Sequence, residues 1–237
     1  MKSRRWRSTW KLRKRRADAA GSDAGPLVGS PASLSQEPGP LTPAFVTRSV
    51  GSRADDAKYG LLQSEIRAFL DALAGAAPDP AEIENLKDEI GRLTDRLRDV
   101  QVEEAEQFFG RVNAVPFRGQ SMTPAFVPTS SSSVRLEGTA EFGRWFLGSG
   151  GAAHGGAIAL LFDEVLGLLA SGGPRGLTRT AYLTVQYQEL TPISTPLTVV
   201  AWVVREEGRK RFLRAELRNI DTVCATAEGL FILVPHH

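Results

Sequence analysis

Residues 150–164 read Gly-Gly-Ala-Ala-His-Gly-Gly-Ala-Ile-Ala-Leu-Leu-Phe-Asp-Glu, and the apolar run continues to Ala170 before Gly172-Gly173-Pro174. Glycines feed straight into an Ala/Leu-rich stretch without a β-branched run, and glycine and proline close it, which is how a helix begins and ends. Two features are foreign to a plain buried helix. Gly155 and Gly156 leave the first-turn N–H groups without side-chain cover, and the acidic pair Asp163-Glu164 interrupts the apolar run.

Both features have chemical uses. A helix N-terminus carries unpaired N–H donors and the positive end of the macrodipole, so it holds an anion or a polarised carbonyl oxygen. A carboxylate in apolar surroundings acts as a base or nucleophile. At 1.5 Å of rise per residue, His154 and Asp163 stand roughly 13 Å apart along one axis. One helix therefore cannot bring both to the same carbonyl. If both serve one substrate, one of them comes from a second copy of the chain across a two-fold interface, and the chain is an obligate dimer.

Of the two acids, Asp163 shares its helical face with Gly156, Ala159, Gly167 and Ala170, small residues that let a ligand approach. Glu164 lies on the bulkier stripe of Ala157, Leu160, Leu161 and Leu168. Asp163 is the better candidate. The plain structural alternative is that small residues seat the helix tightly on a sheet and the acids pair with a neighbouring arginine.

Around this helix the pattern is that of strands. Residues 134–138 and 141–147 precede it as short strands. After it, residues 179–189 alternate, with Ala181, Leu183, Val185 and Tyr187 on one face and Thr180, Tyr182, Thr184 and Gln186 on the other. Residues 197–205, 211–220 and 222–234 are rich in β-branched and aromatic residues, with turns at Glu206-Glu207-Gly208 and Asn219-Ile220-Asp221. One helix followed by a four-strand meander is an α+β layout. Residues 108–133, with Pro124, Pro128 and a run of serines, read as an irregular lead-in.

Charge divides the chain. Residues 1–57 hold 11 basic and 5 acidic residues, residues 58–107 hold 6 and 12, and residues 108–237 hold 12 and 10. The first segment is expected to be a disordered basic tail rich in Gly, Pro and Ser; Ser3-Arg4-Arg5-Trp6 has no apolar core behind it and does not make an export signal. In the second, Leu61, Leu62, Ile66, Phe69, Leu70 and Leu73 form one helical stripe. A further helix opens at Asp79-Pro80 and carries Ile83, Leu86, Ile90, Leu93, Leu97 and Val100 at the heptad spacing of a helical hairpin or short coiled coil. The expectation is a helical hairpin packed on the globular part or on its dimer mate. The net charge of −6 in this segment rules out a DNA-binding helix pair. No stretch reaches the ~20 apolar residues that span a bilayer.

The motif His154-Gly155-Gly156-x6-Asp163, followed by Gly167 and flanked by these strands, resembles the PaaI-like branch of the hotdog-fold thioesterases over about residues 112–237. The resemblance implies a hotdog fold, a long central helix wrapped by an antiparallel sheet, here preceded by the helical hairpin and the basic tail. The domains are then 1–57, 58–107 and 108–237. It implies hydrolysis of acyl-CoA or related thioesters at a site formed across a dimer interface. In that pattern His154 and the Gly155 and Gly156 amides bind and polarise the thioester carbonyl, Asp163 is nucleophile or general base, and Thr180 positions the attacking water. Many members carry Asn six residues before the His, where this chain has Gly148.

The alternative from another class is a non-catalytic acyl-CoA binder using the same cleft. No cofactor is expected beyond the CoA moiety of the substrate, and no metal, since no Cys/His cluster has ligand spacing. The expected partners are the thioester and further copies of the chain, as a homodimer or tetramer, with no nucleic acid. The cluster Arg205, Arg209, Lys210, Arg211 and Arg214 reads as a solvated turn, with contact to nucleotide phosphates as the sharper alternative. The single cysteine, Cys224, lies in an apolar strand, excludes an intrachain disulfide and suits a reducing, cytoplasmic setting.

Overall fold

In the computed structural model, residues 53–110, 119–172 and 176–235 are described, all within one compact unit spanning residues 37–237. The basic tail as far as residue 52 and the terminal His236-His237 lie outside the described residues. The first helix, α1 (Arg53–Gly75), begins five residues before the expected Lys58, with Asp55 and Asp56 in its first turn, where carboxylates favour the helix dipole. The second, α2 (Pro80–Arg98), starts as its sequence dictates: the Asp79 side chain accepts the Glu82 N–H at 2.9 Å and Pro80 fills the first turn.

The sheet is built from β1 (Ala125–Ser131), β2 (Arg135–Glu141), β5 (Thr178–Tyr187), β6 (Leu197–Glu207), β7 (Lys210–Asn219) and β8 (Thr222–Leu233). A short ribbon, β3 (Leu147–Ser149) with β4 (Ala152–Ala153), leads into α3 (Gly155–Ser171). The order across the antiparallel sheet is β1-β2-β6-β7-β8-β5. Two expectations change here. The four strands after the helix are not one meander: β6, β7 and β8 are, but β5 crosses to the far edge and pairs with β8. Residues 125–131, expected to be irregular, form an edge strand whose register breaks between Pro128 and Ser130. Proline lacks the N–H a central ladder needs and is at home at such an edge bulge.

α3 packs on one face of this sheet and supplies its axis. Ala157, Ile158, Leu161, Phe162, Val165, Leu166 and Leu169 are buried along it, meeting Phe142, Leu197, Val199, Leu213, Leu217 and Phe231 from the strands. Burying a side chain of this size contributes about 1.5–3 kcal/mol, so α3 is fixed by its packing far more than by helix propensity.

α1 docks on the turn before the ribbon. Asp71 accepts the Trp145 N–H at 2.8 Å, Arg67 donates to the Thr123 carbonyl at 2.8 Å and to that of Gln120, and Tyr59 stacks on Phe108. α2 has no buried residue. The expected packing of a hairpin on the globular part therefore holds for α1 and fails for α2 within one chain.

The β7–β8 hairpin turns through Ile220, which sits at φ 55° and is 84% exposed. A β-branched residue in the left-handed region is strained, and this side chain gains no burial in return. Ile220→Asn is expected to stabilise the fold by about 1 kcal/mol, since Asn tolerates that region. Thermal unfolding checks it; an unchanged or lower midpoint contradicts the strain.

Candidate functional site

The chain reaches the head of α3 through a tightly held approach. Gly150 and Gly151, at φ 61° and 79°, make the β3–β4 hairpin, a geometry that glycine adopts without steric cost. The β5–β6 connection and the turn before β3 then clamp it: the Ala153 N–H donates to the Thr191 carbonyl at 2.8 Å, and the His154 N–H donates to the Phe146 carbonyl at 2.7 Å. Gly148 belongs to this clamp. A Cβ added there would meet the His154 Cα at 3.1 Å and its N at 3.3 Å, so glycine is what lets β3 lie against the His154 backbone.

His154 is the N-cap of α3, and its Nδ1 accepts the Gly156 N–H at 3.0 Å. An Nδ1 that accepts an amide leaves the proton of the neutral imidazole on Nε2, where it is available to a ligand. The Gly156 amide, grouped by sequence with the Gly155 amide as a carbonyl holder, is thus engaged by the ring itself. By position, the Gly155 N–H has no acceptor inside the helix. Its carbonyl oxygen accepts the Tyr187 hydroxyl at 2.8 Å. Tyr187, on β5, was legible only as one residue of an alternating strand; nothing in the spacing marks it as reaching the helix head.

Asp163 lies over two turns along α3, half-buried, and its Oδ1 accepts the Thr180 hydroxyl at 2.9 Å. The sequence put Thr180 on the face opposite Leu183, Val185 and Tyr187. A bulge between Thr180 and Tyr182 reverses this: Thr180 pairs with the buried Phe231, while Leu183 pairs with Gly229 and Val185 with buried Ala227. The extra residue, Ala181, shifts the pleat by one, so Thr178 and Thr180 join the helix-facing side. Thr178 uses that orientation to meet Ser171 at the end of α3, its hydroxyl 2.8 Å from that of the serine.

The site residues therefore form two groups on one helix: His154, Gly155, Gly156 and Tyr187 at its head, and Asp163 with Thr180 in its middle. About 13 Å of helix separates them. Neither of two cavities, about 290 Å³ and 270 Å³, touches any residue of either group. The larger lies between α1 and the turn ahead of the ribbon, beside Leu70, Asp71, Trp145 and Phe146; the smaller lies beside Thr184, Trp202 and Arg214 on the sheet.

The basic cluster is resolved into pairs. Arg205 pairs with Glu207 and lies over the Phe212 ring, and Arg214 pairs with Glu228. Arg211 is buried: its guanidinium donates to the carbonyls of Leu169 at 3.0 Å, of Ala170 and of Ser133 at 3.2 Å, and to Glu206. It caps the negative end of α3, a structural duty rather than the solvated or phosphate-binding one read from sequence. Cys224 is buried, and burial pushes its thiol up from the ordinary range, which makes it a poor nucleophile. Among the described residues, no group of three or more His, Cys, Asp or Glu is placed to hold a metal ion, and no helix is long and apolar enough to cross a membrane.

Residues 150–226, from the β3–β4 turn into the first part of β8, match the thioesterase superfamily. Among curated relatives, the acyl-coenzyme A thioesterase THEM4 of Bos taurus is 33% identical over 92 residues, covering 38% of this chain and 37% of that protein. The human acyl-coenzyme A thioesterase THEM5 is 28% identical over 128 residues, covering 53% of this chain and 50% of that one. The chain thus spans half or less of the length of these relatives. A crystal structure described as a thioesterase superfamily protein superposes with a TM-score of 0.63 at 27% identity, covering 73% of this chain and 94% of that one.

Arg211→Met is expected to cost about 2–4 kcal/mol, because two buried carbonyls and a third that is partly buried lose their donor. Arg214→Ala, by contrast, is expected to cost under about 1 kcal/mol as an exposed pair. Denaturant unfolding of the two variants distinguishes a structural arginine from a surface one; equal losses contradict the assignment.

Proposed function

We propose that this chain, whose residues 150–226 match the thioesterase superfamily, hydrolyses acyl-CoA or closely related thioesters at a site shared by two copies. The observation that carries this is the division of the site into two halves on a rigid helix. At the head, the His154 Nε2–H and the Gly155 N–H are free to receive a thioester oxygen at the positive end of the helix dipole. At mid-helix, Thr180 holds one oxygen of Asp163 and leaves the carboxylate's remaining lone pairs for a water.

The reaction then follows. The carbonyl oxygen of the thioester docks at the head of one helix. A water held by the partner copy's carboxylate gives up its proton to that carboxylate and adds to the carbonyl carbon. The negative charge that develops on the oxygen is held by the helix-head donors, each worth roughly 3 kcal/mol when removed from such a site. Collapse of the intermediate expels the thiol, with the proton returned from the carboxylate to the sulfur. Direct attack by Asp163, giving an anhydride, uses the same atoms.

The edge position of β5 supports the pairing of copies. Ten residues long, it has β8 on one side, and its other side is a sheet edge next to Thr180 and Tyr187. It carries a single charge, Arg179, whereas edges that stay unpaired are usually blunted with charge or proline. Antiparallel addition of a second β5 would continue the sheet through a two-fold axis and bring the two helices together.

Asp163→Asn is expected to lower hydrolysis of a panel of short, long and aromatic acyl-CoAs by about 10²–10⁴-fold while the solution mass stays that of the parent. Unchanged hydrolysis removes the carboxylate from the reaction. Tight CoA binding by the parent protein without any turnover favours the binding protein over the enzyme.

A further inference from the structure

α2 is a formed helix of 19 residues, none of them buried by the described residues. Its stripe Ile83, Leu86, Ile90, Leu93 and Leu97, with Val100 just beyond its end, is left open: Ile83 is 51% exposed, Leu93 53% and Leu97 61%. Helices in water gain most of their stability from burying such a face, and contiguous apolar patches of this kind mark contact surfaces. A helix of this length with no buried residue is missing its partner.

The stripe specifies what that partner is. Its spacing of 3, 4, 3, 4 is a heptad, with Ile83, Ile90 and Leu97 at the a positions and Leu86 and Leu93 at d. β-branched residues at a with Leu at d favour two parallel strands. The flanking residues agree. In a parallel pair, Glu82 at g faces Lys87 at e of the other copy, twice by symmetry, and Glu89 faces the neutral Thr94. An antiparallel pair with Ile90 opposite Leu93 would set Glu89 against Arg96, also twice, so the direction is chosen by the Ile-at-a, Leu-at-d pattern. Lys87 already pairs with Glu84 on its own helix, but that contact is fully exposed and easily exchanged. Gly91 sits on the outside of the helix, with nothing within 4 Å of an added Cβ.

We propose that α2 is a dimerisation helix that forms a parallel two-stranded coiled coil with α2 of a second copy. This contact is separate from the β5 edge and does not depend on the hydrolytic reading. It joins copies through residues that take no part in the site, so the chain carries two self-association surfaces rather than one.

Cysteine cross-linking of the full-length protein tests it, because the native Cys224 is buried and silent. In Leu93→Cys, mild oxidation is expected to convert the chain to a disulfide-linked band of twice its mass. The outward-facing control Asp95→Cys stays at single mass. Adding Leu86→Glu, a change at an already accessible position, abolishes the Leu93→Cys product. No double-mass band from Leu93→Cys either alone or mixed with Ile90→Cys chains, or equal yields from Leu93→Cys and Asp95→Cys, overturns the coiled coil. Linking of Ile90→Cys to Leu93→Cys chains, when Leu93→Cys alone fails to link, overturns the parallel arrangement. Hydrolysis assayed on the uncrosslinked Leu93→Cys protein stands apart from all of these outcomes.

Discussion

An α-helix is a rigid spacer, and in this chain the spacer is loaded at two points that chemistry wants together. Eight residues of α3 lie between His154 and Asp163, and no rotamer closes roughly 13 Å. The helix cannot bend to help, because eight of its residues are locked into the core against the sheet. A folded single chain therefore keeps the His154 group apart from Asp163 and Thr180, which under the proposed reading makes each one half of a site. The same rigidity that divides the site within one chain fixes both halves with little freedom, which is what preorganised catalysis across two copies requires.

Both ends of that helix are secured by particular atoms. At the head, the His154 N–H is held by the Phe146 carbonyl, its ring nitrogen by the Gly156 amide, and the Gly155 carbonyl by Tyr187. At the tail, the buried Arg211 gathers the carbonyls of Leu169 and Ala170, and Ser171 meets Thr178. The Gly156 amide and the Leu169 and Ala170 carbonyls are groups that a helix terminus leaves open, and the remaining contacts tie the helix ends to their neighbours. Arg211 reaches from β7, and Thr178, Thr180 and Tyr187 all come from β5, so the last half of the sequence supplies most of what holds α3 in place.

Much of this was legible in the sequence wherever a local rule governed it. The limits of α3, the Asp79 cap of α2, the β7–β8 turn and the α+β class all followed from periodicity, glycine and proline. What escaped was set by pairing at a distance. The bulge at Ala181 has no signature in its own strand, yet it decides which way Thr180 points; strict alternation put that threonine on the wrong face. Pro128 suggested irregularity because proline is excluded from central strands, but β1 is an edge. Arg211 looked like one of five surface cations until the strand register carried it to the end of α3. The stripe of α2 was legible as a heptad, but whether a hairpin, the dimer mate or a coiled coil buries it was not, because periodicity names a buried face without naming what buries it.

The central claim is that the helix head of one copy and the carboxylate of another act on one thioester, and subunit mixing tests it most directly. His154→Ala and Asp163→Asn chains, each inactive alone, are unfolded and refolded together in equal amounts. If the halves come from different copies, random pairing gives half the dimers one intact site out of two, and about a quarter of the parental hydrolysis returns. If each chain carries a complete site, the mixture stays as inactive as its components, and the shared site is wrong.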